Sequence, residues 1–376
     1  MSALKQILIN RISLSGPISV SDYMAECLFN PNHGYYTTKE QPFGRSGDFI
    51  TAPAISQMFG ELTAGWLVEC WQNLGAPSPV TLCEIGAGDG TWMRDICRAL
   101  KAIAPEFMIA AHIIIIEQSD KLIGAQKAKL SDVAAQIFWA QNITDLPPQP
   151  TIFIANELFD AIPTRQFVKT GTAWIERVVT VKDNDLAFSV GTTVLDKSLL
   201  PLNASDAEIG AIFEYAPARE ALISDIATHI CDHRGAALFI DYGHGQSAIG
   251  DTLQAVQNHA YQDVFETPGQ ADITSHVDFE ALTIAAKTSG AQTYPIITQG
   301  EFLLSLGLLE RAGQLGTGKS QKVQTDITSS VNRLAGNDNN KAQMGDLFKV
   351  MCLTDKKTIA PPPFLRQDKQ PVGDGV

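Results

Sequence analysis

The chain has 376 residues, 45% apolar and 18% charged, which excludes a disordered polymer and leaves room for one large domain or two. A formal charge of −13 with no basic stripe argues against binding to nucleic acid or to anionic membranes, leaving solubility or a cationic partner as its use. Cys27, Cys70, Cys83, Cys97, Cys231 and Cys352 form no Cys-x-x-Cys pair and read as buried thiols of a reducing compartment. With no secretory segment and no apolar run long enough to span a bilayer, the expected location is the cytoplasm.

Residues 3–14 predict a first helix, and Ser21 is placed to N-cap a second that runs to about Leu28, before Asn30-Pro31-Asn32-His33-Gly34 breaks it. Gly44 to Asp48 reads as a loop. Ile55 to Leu74 then carries Met58, Phe59, Leu62, Trp66, Leu67, Cys70 and Trp71 at helical spacing and stops at Gly75 and Pro77. Residues 1–79 thus form an N-terminal helical region. From Val80 short apolar runs alternate with amphipathic helices, the pattern of a parallel sheet covered on both faces, and 80–358 reads as one α/β domain. Its strand candidates are 80–85, 109–116, 136–139, 151–155, 236–241, 293–298 and 346–353. Insertions are expected at about 165–230 and 299–343. The first holds a hairpin within Phe167 to Val194, turning at Asp183-Asn184 and followed by helix; the second holds helices near 301–312 and 321–334 joined by a Gly-rich connector at 313–318. The tail, 359–376, with Pro361-Pro362-Pro363, is expected to lie extended over the surface.

Strand 80–85 runs straight into Gly86-x-Gly88-x-Gly90 and then a helix from Thr91, so the glycines sit at the carboxyl end of a strand, where open α/β sheets bind ligands. Glycine lets the backbone turn tightly and come within contact distance of a ligand. A dinucleotide site would carry its third glycine at position 91, which is threonine. An acid, Glu84, followed by Gly-x-Gly-x-Gly suits S-adenosylmethionine better, and Glu84, Gly86, Ala87, Gly88 and Gly90 are assigned to that cofactor. The alternative is a purely structural strand-to-helix turn.

Glu117, with Gln118 beside it, ends the second strand, where a carboxylate can accept both ribose hydroxyls. Asn142 and Ile143 follow the third strand, where an amide can address the adenine edge and the isoleucine its face; a plain loop is the competing reading. The fourth strand ends in Asn156-Glu157-Leu158-Phe159-Asp160, the candidate catalytic loop. Methyl transfer is an in-line displacement, so the protein has chiefly to hold and desolvate the acceptor. For a guanidinium, Glu157 and Asp160 can balance the charge while Asn156 offers a carbonyl; otherwise the cluster is an acidic helix cap. Asp241-Tyr242-Gly243-His244 and Asp272 to Asp278 are further polar clusters, in which His244 and His276 are acid/base or substrate groups or else structural histidines. Asp272 and His276 lack a third partner, so no metal site is assigned.

Several strings together resemble the MidA-like proteins: Ile18 to Tyr36 with His33-Gly34-Tyr35-Tyr36, Gly47-Asp48-Phe49-Ile50-Thr51-Ala52-Pro53 continuing through Ser56 to Glu61, Glu84 to Gly90, Ala155 to Pro163, and Asp272 to Phe279. The matches cover about residues 18 to 300. The resemblance implies a seven-stranded class I S-adenosylmethionine-dependent methyltransferase, a Rossmann-like α/β fold with an N-terminal helical lid and insertions after strands 4 and 6. For mitochondrial members of that family it also implies symmetric dimethylation of an arginine in a respiratory complex I core subunit. Carried over, Gly86, Gly88 and Glu117 are cofactor residues, Asn156, Glu157 and Asp160 bracket the substrate, and His33 to Pro53 folds across the cofactor. Tyr36, Gly47, Asp48, Phe49, Asp241, Asp272 and His276 are assigned to lid and substrate. Two departures, Ala54 in place of an acid and Leu158 in place of an aromatic, bear on substrate identity. The early start of the shared region fits a bacterial cytoplasmic member. The partner implied is an arginine-containing protein, and the oligomeric state is open, a homodimer included. The competing functions are methylation of a small molecule or an amino group, and an assembly chaperone that binds the cofactor with little catalysis.

Overall fold

All six residues of strand β1, Val80–Ile85, are buried, as in a strand covered on both faces, and four of them, Val80, Leu82, Cys83 and Ile85, are apolar. In this computed structural model, which describes residues 2–39, 48, 50–133, 136–337 and 343–364, β1 is the centre of one of two compact units. That unit, here the donor unit, comprises Ala52–Asn156, Ile223–Asp241 and Thr283–Val376; the other, the acceptor unit, comprises Met1–Thr51, Glu157–Leu222 and Tyr242–Leu282.

In the donor unit β1 lies between β2 (Ala111–Ile116) and β4 (Thr151–Asn156), all parallel, with Val80 opposite Ala111 and Thr81 opposite Thr151. Strand β3 (Ile137–Ala140) pairs beyond β2. Strand β5 (Gly235–His244), whose residues through Asp241 belong to this unit, pairs beyond β4. Strand β6, interrupted as Gln292–Thr293 and Ile297–Thr298, runs antiparallel to β7 (Phe348–Thr354). The order is β3-β2-β1-β4-β5-β7-β6, with its topological switch between β1 and β4. Every expected strand of the sheet is present. The second begins two residues late because Pro105, at the first helical turn, starts a short helix, Pro105–Ala110. The sixth is broken at Tyr294-Pro295-Ile296, where proline lacks a ladder N–H.

Helix α1 (Gln57–Asn73) is capped by Ser56, whose Oγ accepts from Met58 N, and buries the expected apolar face. It packs against α2 (Thr91–Ile103) so closely that a Cβ on Gly60 would meet Asp95 Cβ at 2.7 Å. The expected helix near 301–312 is two helices, Gln299–Ser305 and Leu308–Gly316, separated at Gly307 with φ +88°. The second runs through Gly313, so the connector shortens to residues 317–320. The tail does not lie loosely on the surface as far as it is described: Ala360 and Pro361 are buried, and Phe364 packs edge-on against Trp66 at 6.3 Å. Burying a phenylalanine outweighs the tendency of the proline run to extend into solvent.

In the acceptor unit the expected hairpin is part of a larger antiparallel sheet of Arg165–Thr170, Ala173–Lys182, Asp185–Val194 and Ile212–Tyr215. Its turn has Asp183 and Asn184 at φ +51° and +64°, the left-handed pair a two-residue hairpin requires. Ile18–Ser19 adds to this sheet opposite Val179 and Val178. That pairing moves the second helix, Val20–Phe29, so that Ser19 and not Ser21 caps it, its Oγ accepting from Asp22 N. Residues 1–79 are therefore not one body. The part through Thr51 is bound into the acceptor unit by Leu4, Leu8, Val20, Tyr23 and Met24, which share a core with Val179 and Ile273, while the part from Ala52 belongs to the donor unit. A small sheet of Gln254–Gln257, Ala260–Gln262 and Asp272–Thr274 completes the acceptor unit. The six cysteines are unbridged and five are buried. No helix among the described residues is long and apolar enough to cross a membrane.

Candidate functional site

Parallel strands point their carboxyl ends the same way, so Glu84, Glu117, Asn142, Asn156 and Asp241 come to one edge of the donor sheet. After β1 the chain turns through Gly86, Gly88 and Gly90 at φ +68°, +53° and +85°. A side chain at any of these would carry the left-handed penalty, so glycine is the residue that lets the loop curl at least cost. Gly86 N donates to Ile116 O and Gly90 N to Ala87 O, which ties the loop to β2 and closes it on itself.

Glu84 is 2% exposed, and its Oε2 has no hydrogen-bond partner among the described residues. Burial, followed by the nearby charges of Asp89 and Glu117, pushes its carboxyl up to about 8. Glu117 is provided for differently. Its Oε1 accepts from the backbone N–H of Gln118 and of Ser119, each at 2.9 Å, and its Oε2 accepts from Gln126 Nε2 at 3.1 Å. Burial raises this carboxyl above its ordinary value, and the three donors pull against that rise. The Gln118 side chain is exposed; Asn142 is exposed and Ile143 half-buried, in a turn where Asp145 Oδ2 accepts from Asn142 N at 2.9 Å. Asn156 is half-buried at the tip of β4, opposite Ile240 of β5, and Asp241 follows fully buried.

The acceptor unit begins at Glu157, one peptide bond beyond Asn156, with φ +52°. A non-glycine residue held there stores of order 1 kcal/mol of strain. Asp160 and Asp272 are each 5% exposed. Burial lifts Asp272 well above the usual carboxylate range; Asp160 adds to this and the Tyr36 hydroxyl, which donates to Oδ1 at 3.1 Å, opposes it. Burial also raises Asp160, against Tyr242 and Arg219. Tyr242 donates to Thr274 Oγ1 at 2.5 Å and lies edge-on to the half-buried His276 ring, 5.5 Å between centroids.

Asp48 has a different setting from the lid role expected of it. It accepts from Tyr35 Oη and Asn258 N, both at 2.8 Å, and pairs with Lys39. Burial works to raise its carboxyl, and these partners outweigh it, leaving Asp48 below its ordinary value. Its fixed N–H and cation partners make it an anchor for the turn at Asn258. Gly47 and Phe49 lie outside the described residues.

Two residues of the site escaped the sequence reading. Arg219, 3% exposed, donates from Nε to Ile162 O (3.0 Å), from Nη1 to His276 O (2.8 Å), and from Nη2 to Asp160 O (3.1 Å) and Ser275 Oγ (2.6 Å), clamping the Asp160 loop to the His276 loop. Gln126, fully buried, bridges the glycine loop, Glu117 and Trp139. The only sequence signal for Gln126 is its place one turn after the buried Leu122 of helix α3 (Asp120–Lys129).

Residues 62–297 match the model of a family described as S-adenosyl-L-methionine-dependent methyltransferases. The chain belongs to this family. The methyltransferase is 33% identical, over 94% of its own length and 86% of the relative's, to a protein of Caenorhabditis elegans named protein arginine methyltransferase NDUFAF7 homolog, mitochondrial. It is 30% identical to the human protein arginine methyltransferase NDUFAF7, over 96% of its length and 86% of the relative's. A solved superfamily member from Burkholderia thailandensis bound to S-adenosyl-homocysteine superposes with a TM-score of 0.81 at 27% identity, covering 95% of this chain and 93% of that one. The cofactor of the methyltransferase is thus S-adenosylmethionine, as the glycine loop led us to expect.

Proposed function

We propose that this methyltransferase methylates an arginine side chain of a protein, and that Glu157, Asp160 and Asp272 hold the guanidinium. The observation that carries the reading is the crowding of buried carboxyls in the acceptor unit. Asp160 raises Asp272 and Glu157 adds to the rise, an arrangement whose cost falls when a permanent cation enters. The names of the curated relatives support the same acceptor. The resemblance to the MidA-like proteins extends the reading to a core subunit of a respiratory complex I type as substrate, symmetrically dimethylated. The unbridged, buried cysteines suit the cytoplasm.

The donor-unit residues fit the cofactor. Glu84 brings an orphaned buried carboxylate oxygen suited to an ammonium group, and the three left-handed glycines leave the room a Cβ would fill. In this reading Glu84 takes the amino group, Gly86, Ala87, Gly88 and Gly90 line the methionine moiety, Glu117 takes the ribose hydroxyls, and Gln118, Asn142 and Ile143 border the adenine. Bound S-adenosylmethionine supplies a sulfonium methyl. In the acceptor unit Glu157 and Asp160 orient the guanidinium and take up the proton it loses, and Tyr36 and His276 exclude water around it; in the donor unit Asn156 offers a carbonyl acceptor and Asp241 a carboxyl group at the carboxyl edge of the sheet. Mass spectrometry of respiratory subunits from cells with and without the gene tests the proposal. Loss of one dimethylarginine is expected, and an unchanged modification pattern overturns it.

A further inference from the structure

We propose that Gln126 is a positioning residue for the methyl donor, fixing the Glu117 carboxylate and the Gly88 carbonyl in one frame so that the ribose hydroxyls meet an already oriented acceptor. The inference rests on the assignment of Glu117 to the ribose. Gln126 projects from α3, whose N-cap is Ser119, and Glu117 holds the N–H of that cap residue. The chain therefore leaves β2 at Glu117, starts a helix that Glu117 itself helps to anchor, and returns Gln126 to the same carboxylate.

Both N–H groups and the carbonyl oxygen of the Gln126 amide are engaged in this frame. Its nitrogen donates to Gly88 O at 2.9 Å and to Glu117 Oε2 at 3.1 Å, and its Oε1 accepts from the Trp139 indole N–H at 2.8 Å. Trp139 lies on β3, so a buried amide with no exposed surface joins the glycine loop, the tip of β2, β3 and α3. A packing role alone would be met by an apolar side chain at lower desolvation cost, whereas a glutamine there has to be satisfied at both ends. A carboxylate has about four acceptor sites. Two backbone N–H groups fill those of Glu117 Oε1, and Gln126 fills one on Oε2. The remaining capacity is on Oε2, the oxygen that Gln126 holds in place, and this is where a ribose hydroxyl would donate.

Calorimetry on the full-length protein tests this with S-adenosylhomocysteine and with its analogue lacking both ribose hydroxyls. For the native protein the hydroxyls should be worth about tenfold or more in Kd, as expected for hydrogen bonds to a charged acceptor. In Gln126→Met that preference should fall to about threefold or less, with S-adenosylhomocysteine losing affinity and the analogue scarcely changed. Equal weakening of both ligands, or an unchanged preference, overturns the inference and marks Gln126 as structural. Should the native protein itself show no preference, the assignment of Glu117 fails and Gln126 falls with it, a result visible before any variant is made. If Gln126→Met does not fold, Trp139→Phe carries the test by releasing Oε1 and letting the amide rotate: loss of half or more of the preference supports the role, and full retention overturns it.

Discussion

Glu117 of the donor unit and Asp272 of the acceptor unit, both carboxyls raised by burial, are treated in opposite ways. In the donor unit Glu117 is ringed by backbone and amide donors fixed by β2 and α3, so its acceptor directions are set before any ligand arrives. In the acceptor unit burial, Asp160 and Glu157 together raise Asp272, and the Tyr36 hydroxyl works against that rise. Fixed neutral donors suit the proposed role of Glu117, that of accepting from hydroxyls. Crowded carboxyls suit a ligand that brings its own charge.

The largest effect should separate the two directly. Asp160→Asn is expected to cost about a hundredfold or more in kcat/KM on an arginine peptide, while S-adenosylhomocysteine affinity stays within about twofold. A parallel fall in cofactor affinity would break the contrast. Arg219→Met removes a cation bonded to several buried carbonyls and should lower unfolding free energy by about 3 kcal/mol in urea titrations; a loss below about 1 kcal/mol would mean that the two loops hold without it.

Glu84 sharpens the comparison through pH. Its folded value of about 8 lies above the ordinary 4.5, so the folded state binds this proton more tightly than the unfolded one. The stabilisation is full below about 4.5 and is lost as pH rises toward 8. Urea midpoints at pH 5 and 8.5 should therefore differ more for the native protein than for Glu84→Gln, and equal slopes would remove Glu84 as the source. An ammonium ligand favours the ionised form, so cofactor binding near neutral pH should release protons, measurable as a buffer-dependent enthalpy. The smallest expected change is about 1 kcal/mol each for Ser19→Ala and Ser56→Ala, one helix cap in each unit.

The donor unit was the more legible in the sequence because its signals are local. A buried parallel strand favours a mostly apolar run, and a loop with positive φ asks for glycine, so β1 through Gly90 could be read from consecutive residues. The acceptor unit hides its organisation in distant pairings. Ile18–Ser19 is too short to show an alternating pattern and is a strand only because Val178 and Val179 lie opposite. Asp272 could be singled out as polar, but its carboxyl is raised by burial and by Asp160, which is far away in the chain. Arg219 begins what looks like an ordinary amphipathic helix, Pro217–His233, and nothing nearby predicts that its guanidinium is buried among carbonyls.

The position of β7 between β5 and β6 has a consequence for how the protein is made. Strand β5 is complete at His244, whereas the strand that covers its outer edge begins at Phe348, on the order of ten seconds later at ribosomal speed. During that interval an apolar strand edge of the nascent chain stands open, a ready template for pairing with other chains. Strains short of chaperones, or messages with slow codons after residue 244, should yield aggregated protein even though the finished sheet has β5 enclosed.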